Sequence, residues 1–87
     1  MARIRHIELG PNPCGKELKV TNHDLLAGEA LWVRVADITG RIFIDRLALA
    51  QVAGVLDMEL LPLGPLVVSV GADSGLLKEM LVIHVEP

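Results

Sequence analysis

The sequence has no tyrosine, one tryptophan, one phenylalanine and one cysteine. Because Cys14 is the only cysteine, a disulfide within the chain is excluded. The scarcity of aromatic rings argues against a lectin, since carbohydrate-binding sandwiches usually stack sugars on exposed rings. No apolar run approaches the roughly 20 residues of a membrane-spanning helix, so we expect no membrane span.

The charge pattern and the first residues argue against two further classes. The net charge is −3, and the lysines and arginines do not cluster. A nucleic-acid-binding surface needs a basic face, so we expect no nucleic-acid partner. Residues 1–6 contain two arginines but no hydrophobic segment follows them. We therefore expect that this chain carries no secretory signal peptide of its own.

Patterns typical of catalytic and metal sites are also missing. The histidines are far apart in sequence and have no zinc-motif spacing: His6, His23 and His84. Neither Ser69 nor Ser74 lies in a Gly-x-Ser-x-Gly elbow. Cys14 has no evident base beside it, which favours an unreactive loop cysteine over a nucleophile. We expect a protein that is not an enzyme and has no metal or cofactor, although the histidines could still converge in space.

What the chain does have is apolar residues punctuated by turn signals. Its 87 residues are 52% hydrophobic, which predicts one domain spanning residues 1–87. Such a domain buries about 60–65% of its unfolded surface, in a core or partly against a partner. Seven short apolar runs predict strands at 3–9, 16–21, 30–36, 41–47, 54–60, 66–70 and 76–85. This spacing predicts an all-β, immunoglobulin-like β-sandwich of about seven antiparallel strands.

Alternation along these runs predicts which side chains share a face. In the third run Leu31, Val33 and Val35 share one face, and in the fifth run Leu56, Met58 and Leu60 do. Trp32 alternates with the first set, but we expect it in the core because sandwiches of this class bury a tryptophan. Residues 47–55 have helix propensity. We favour the end of one strand, a loop and the start of the next.

The last run has two partly apolar faces. One face carries Leu77, Leu81, Ile83 and Val85, and the other carries Lys78, Met80, Val82 and His84. We assign the first face to the core. The second is more apolar than a solvated face should be, which predicts that a partner covers it. The alternative is a central strand that the domain buries on both faces.

Prolines, aspartates and glycines predict the turns. Pro11, Asn12 and Pro13 end the first strand, because proline has no N–H for a ladder. For the same reason we expect the sixth strand to begin just after Pro65. Two structural turns are predicted, with aspartate capping and glycine suited to a positive φ: Asp37 with Gly40, and Asp73 with Gly75.

One ordered set of residues goes beyond a generic sandwich. It consists of Pro11-Asn12-Pro13, Leu18-Lys19-Val20, Val35-Ala36-Asp37, Thr39-Gly40-Arg41, Leu56-Asp57, Leu61-Pro62-x-Gly64, the run 66–70, Gly75, Lys78 and Leu81-Val82-Ile83. The set resembles the C-terminal sorting domain of type IX secretion system cargo proteins in the Bacteroidetes, the Por secretion tail family. The resemblance covers about residues 7–85. Two positions depart from the family pattern: Gly64-Pro65-Leu66 replaces a usual Gly-x-Tyr, and Glu79 follows Lys78 where a second lysine is common.

The resemblance implies a function as an address label. Family members are immunoglobulin-like sandwiches at the C-terminus of secreted enzymes and adhesins. A separate N-terminal signal takes the precursor into the periplasm, and the sorting domain directs it through the outer-membrane translocon. A surface sortase often removes the domain and attaches the cargo to lipopolysaccharide. The implied partners are the translocon, the sortase and the cargo domain, and the implied location is secreted or at the cell surface.

The predicted recognition residues lie in the first turn and near the C-terminus: Pro11, Asn12, Pro13, Gly64, Lys78, Met80, Val82 and His84. We expect the last strand to carry most of the recognition. Replacing Lys78 and His84 with alanine should then spare folding and impair export, whereas Gly40→Val should cost stability. The alternative is a structural or adhesive sandwich module that binds a protein or glycan through a patch away from the last strand.

Overall fold

The computed structural model describes residues 7–22, 30–49, 53–73 and 75–86. Those residues form seven strands: β1 (Ile7–Gly10), β2 (Glu17–Asn22), β3 (Leu31–Asp37), β4 (Ile42–Leu49), β5 (Ala53–Asp57), β6 (Gly64–Ala72) and β7 (Gly75–His84). No helix occurs in this part of the chain, and so none that is long and apolar enough to cross a membrane. The predicted all-β class is confirmed. Residues 3–6, His23 and Ser74, which also figured in the predictions, lie outside the described residues.

The strands form two antiparallel sheets, one ordered β1-β2-β5 and the other β4-β3-β6-β7. This is a two-sheet β-sandwich in which the fourth strand in chain order pairs with the third. β6 is central, and its residues 66–70 carry no charge. The edge strands β4 and β7 carry Asp45, Arg46, Lys78 and Glu79, as edges exposed to water usually do.

A single hydrophobic core lies between the sheets. Both sheets supply fully buried side chains, the largest being Leu18 and Leu56 from one sheet, Leu66 from the other, and Met58 just after β5. The predicted alternation in β3 is confirmed, because Leu31, Val33 and Val35 are all buried. Of residues 47–55, the favoured strand ends are confirmed at 47–49 and 53–55, and residues 50–52 lie outside the described chain.

The prediction for Leu60 is wrong. β5 ends at Asp57, whose Oδ1 accepts a hydrogen bond from the N–H of Glu59 at 2.9 Å. A tight turn follows, in which Leu61 N–H donates to the Met58 carbonyl. The turn breaks the period of two, so Leu60 is 95% exposed and Leu61 takes the buried position.

The prediction that β6 starts after Pro65 is also wrong, since the strand begins at Gly64. β3 pairs with β6 only as far as Leu66, while β7 continues alongside Pro65 and Gly64. Pro65 therefore lies where one side of β6 has no neighbouring strand, and a missing N–H there costs no ladder bond.

The two faces of β7 were assigned the wrong way round. Val82 and His84 are buried and Met80 packs against the core, whereas Leu81 and Ile83 are exposed. Leu77 also packs on the core, because a register shift between Val70 and Gly71 breaks the alternation at the start of β7. The register with β6 sets this orientation: Val82 lies opposite the buried Leu66.

Trp32 is not in the core, contrary to prediction. It lies half-buried on the outer face of the four-stranded sheet, where its Nε1 donates to the Ala72 carbonyl at 3.1 Å. The ring lies against Gly71, and a Cβ built there would come within 2.2 Å of Trp32 Cζ2. Two guanidinium groups, those of Arg34 and Arg46, lie 5.5 and 5.1 Å from the ring centroid.

Candidate interaction site

Asp37 organises the turn between β3 and β4. Its Oδ1 accepts hydrogen bonds from the Thr39 hydroxyl at 2.6 Å, the Thr39 N–H at 2.9 Å and the Arg41 N–H at 3.0 Å. Gly40 has a φ of +94°, as its predicted turn role requires. At the opposite end of the sandwich Asp73 and Gly75 join β6 to β7, with Gly75 at a φ of +121°. The carboxylate of Asp37 thus holds the β3–β4 turn in place.

Gly40→Val should lower the free energy of unfolding by about 1–2 kcal/mol, because an L side chain resists a positive φ. No heavy atom lies within 4 Å of the position a Cβ would take, so the loss comes from the backbone alone. Urea denaturation measures it. Gly10→Val is the matched control, because Gly10 has similar free space and no positive φ. Equal losses in both variants would contradict this explanation.

Asp37 should also make the stability depend on acid pH. The Thr39 hydroxyl, with the N–H groups of Arg41 and Thr39 and the charge of Arg41, holds the pKa of Asp37 below its ordinary 3.8. A lowered pKa adds stability above the unfolded-state value, which is lost as pH falls through the folded-state value. The stability gap between the parent and Asp37→Ala should therefore be largest above about pH 4 and shrink below it. A gap that stays constant in urea titrations down to strongly acid pH would contradict the assignment.

The Pro11–Pro13 turn lies against the last strand. Asn12 uses both ends of its carboxamide: Nδ2 donates to the Leu81 carbonyl at 3.0 Å, and Oδ1 accepts from the Ile83 N–H at 2.9 Å. Both peptide bonds that precede prolines in this turn are cis. The Asn12 side chain therefore occupies the edge of β7 as a neighbouring strand would. The sequence does not reveal this role, because Asn12 lies 69 positions from Leu81 and 71 positions from Ile83.

Cys14 continues the contact between this turn and β7 with two backbone hydrogen bonds. Its N–H donates to the Ile83 carbonyl and its carbonyl accepts from the Val85 N–H, both at 2.9 Å, in a parallel bridge opposite His84. The thiol is fully buried, and burial raises its pKa. A buried thiol with a raised pKa is a poor nucleophile, which agrees with the interpretation of Cys14 as an unreactive loop residue.

His84 joins the end of β7 to the connection that leads into β6. The imidazole is buried, and Nδ1 lies 2.9 Å from the Pro62 carbonyl. A carbonyl oxygen only accepts, so Nδ1 carries the hydrogen. Gly64, with a φ of +105°, pairs with His84 where β6 begins. We therefore expect a Lys78 and His84 double alanine variant to lose stability through His84, contrary to the expectation from sequence.

Of the predicted recognition residues, the structure brings Asn12 against β7 and leaves Pro11, Pro13 and Lys78 exposed. Val82 and His84 are buried and Met80 is partly buried. A partner that docks on the folded domain therefore meets Leu81 and Ile83 on this strand instead. The sequence does not identify these two residues as exposed, because its pattern predicts both of them in the core.

Leu81 ends a row of apolar side chains across the outer face of the four-stranded sheet. The row follows the strand register: Ile42 opposite Ala36, Ala36 opposite Val67, and Val67 opposite Leu81. We call these four residues the outer apolar row. The next row along the strands is polar, with Arg34 opposite Ser69 and Ser69 opposite Glu79. The outer face therefore presents an apolar band beside a charged one.

A second apolar surface lies at the end of the sandwich where the β3–β4 and β5–β6 connections meet. Ile38, Leu60 and Leu63 are exposed there, around an open depression of about 660 Å³. Its floor includes Phe43 and Leu61. Exposed aliphatic side chains grouped in this way mark an interaction surface more often than scattered ones do.

Within the described residues, no three His, Cys, Asp or Glu side chains are placed to hold a metal ion. No protein-family model, curated protein or solved structure matches this chain.

Proposed function

We propose that this chain is a sorting domain of the type IX secretion kind, an address label that a translocon reads and that has no chemistry of its own. The observation that carries the proposal is the contact between Asn12 and β7. The first and last members of the ordered residue set, Pro11-Asn12-Pro13 and Leu81-Val82-Ile83, meet through two hydrogen bonds. The first and last members of the set thus lie side by side at the edge of the domain.

The physical demands of such a label fit this surface. A signal that is read in folded form must present the same groups every time, and the hydrogen bonds of Asn12 and Cys14 fix the position of β7. β7 is an edge strand with exposed apolar side chains, and edge strands offer both backbone and side chains to a partner. A precursor that carries this domain would be secreted or displayed at the cell surface.

The test is to fuse the full chain to the C-terminus of a reporter that has its own signal peptide. The fusion is expressed in a Bacteroidetes host with the pathway intact and in a strain lacking the translocon. We expect the reporter in the medium or on the cell surface in the first strain and in the periplasm in the second. Retention in the periplasm of both strains would refute the proposal.

A second candidate is an adhesive or structural module that binds a protein or glycan. It is favoured by the exposed apolar end around Ile38, Leu60 and Leu63, which belongs to the β3–β4 and β5–β6 connections and not to β7. The parent open reading frame distinguishes the two candidates. A sorting domain ends a long precursor that begins with a signal peptide, whereas an adhesion module recurs in tandem or lies internally.

A further inference from the structure

Among the described residues, other parts of the chain cover only one half of the β7 edge. The N–H and carbonyl of Ile83 point away from β6, since they bond to Asn12 and Cys14. Backbone groups repeat their direction every second residue, and the register from Lys78 to His84 has no shift. The N–H and carbonyl of Glu79 and the N–H of Leu81 therefore also point outward. Among the described residues, no backbone hydrogen bond from a turn, loop or cap reaches any of these three groups.

We infer that this open half of β7 is a strand-addition site for an extended peptide segment that carries a basic residue two positions from an apolar one. Strand addition supplies backbone hydrogen bonds, and the alternate side chains supply the selectivity. The paired part of the added strand ends opposite Leu81, because Asn12 already occupies the Leu81 carbonyl and the edge beyond it, and any further residues of the peptide leave the sheet there.

The residue types follow from the outer face. A side chain opposite Leu81 on the added strand would extend the outer apolar row, so an apolar residue fits there. The next position on the same face lies opposite Glu79, which is exposed. A lysine or arginine opposite that carboxylate is attractive, and an acidic residue there is repulsive.

A second copy of this chain is a poor occupant of the same edge. Two copies of β7 would pair antiparallel about a two-fold axis, so the residue on the axis faces its own copy. With Lys78 on the axis, lysine faces lysine, and with Glu79 on the axis, glutamate faces glutamate. With Met80 on the axis, Leu81 lies opposite Glu79 of the other copy and must bond it through both its N–H and its carbonyl. That carbonyl is already bonded to Asn12. These obstacles protect the edge from self-association while leaving it open to a complementary strand.

The probe is the peptide acetyl-Thr-Lys-Thr-Val-Thr-Lys-Thr-amide, which reads the same in both strand directions, and its counterpart with glutamate for lysine. Binding is followed by backbone amide NMR and hydrogen exchange on the full chain. We expect the lysine peptide to protect the amides of Glu79 and Leu81. It should bind about two- to fivefold more tightly than the glutamate peptide.

Glu79→Lys should reverse that preference, whereas Glu17→Lys, which changes the net charge equally on β2, should leave it in place. Glu79→Pro should abolish binding by removing an outward N–H. The inference is overturned if the two amides stay unprotected at millimolar peptide, if Glu17→Lys reverses the preference equally, or if the peptide perturbs only Ile38, Leu60 and Leu63. The inference concerns the surface named in the proposed function, but its test involves no secretion. Peptide binding without reporter export would refute the sorting function alone, and export without peptide binding would refute this inference alone.

Discussion

Val82→Asp should unfold the domain. Val82 has no exposed surface and packs within a cluster of hydrophobic side chains, which would strip a carboxylate of its water. Burying an unpaired charge is among the most destabilising changes known, and we expect a loss of about 4 kcal/mol or more. A small domain has only about 5–15 kcal/mol of stability in total. Circular dichroism and thermal melting measure the loss.

Leu81→Asp is the matched control for this prediction. Leu81 is the adjacent residue on the same strand but is 52% exposed on the outer face. We expect the free energy of unfolding of Leu81→Asp to lie within about 1 kcal/mol of the parent value, the usual range for strand propensity. If the two variants lost equal stability, or if Leu81→Asp lost more, Val82 would not face the core and the orientation of β7 would be wrong.

Gly71→Val should cost about 2–4 kcal/mol, because any Cβ at this position collides with its surroundings. The first Cβ contacts are 2.2 Å to Trp32 Cζ2 and 2.8 Å to the Gly75 carbonyl oxygen. Relief requires the indole to swing away, which breaks its bond to the Ala72 carbonyl and its stacking with Arg34 and Arg46. Thermal and urea denaturation measure the loss.

A double-mutant cycle separates this clash from the general cost of a valine in β6. With Trp32→Ala already in place, Gly71→Val should cost distinctly less than it does in the parent, since the indole contact is gone. Additive losses would show that Gly71 and Trp32 act independently and would contradict the packing of the indole on Gly71.

The sequence predicted the strands and turns well because their signals are local. Asp37 and Gly40 carry their turn chemistry within four residues, and the uncharged run 66–70 identified the central strand without knowledge of its neighbours. The seven-strand sandwich follows from such signals repeated at short intervals.

The orientation of β7 could not be predicted in the same way. Both of its faces carry apolar residues, so alternation alone does not select the core face. The choice is made by pairing, which sets Val82 opposite Leu66 and moves Leu77 to the core side through a register shift. The Asn12 contact is equally non-local, since its carboxamide bonds to backbone groups 69 and 71 residues away.

Trp32 illustrates a third kind of error. The usual place of a tryptophan in sandwich cores outweighed its alternation with Leu31 and Val33, which was correct. A signal for the outer-face packing was present in Gly71, because a glycine inside a strand often marks the close approach of another group. The sequence did not show which group approaches.

In our proposal, stability and recognition belong to opposite faces of one strand. Val82 and His84 hold the last strand to the core, while Leu81, Ile83 and the open backbone of Glu79 meet the surroundings. This separation makes the proposed recognition surface testable with variants that fold normally.

The most direct test compares export of the reporter fused to Leu81→Gln and to Val55→Gln domains. The two parent side chains are 52% and 51% exposed and lie on different sheets, at β7 and β5. The free energy of unfolding of both variants should lie within about 1 kcal/mol of the parent value. We expect the Val55→Gln fusion to be exported like the parent, and the Leu81→Gln fusion to leave most of the reporter in the periplasm. Equal export of the two variants would contradict the assignment of recognition to the last strand.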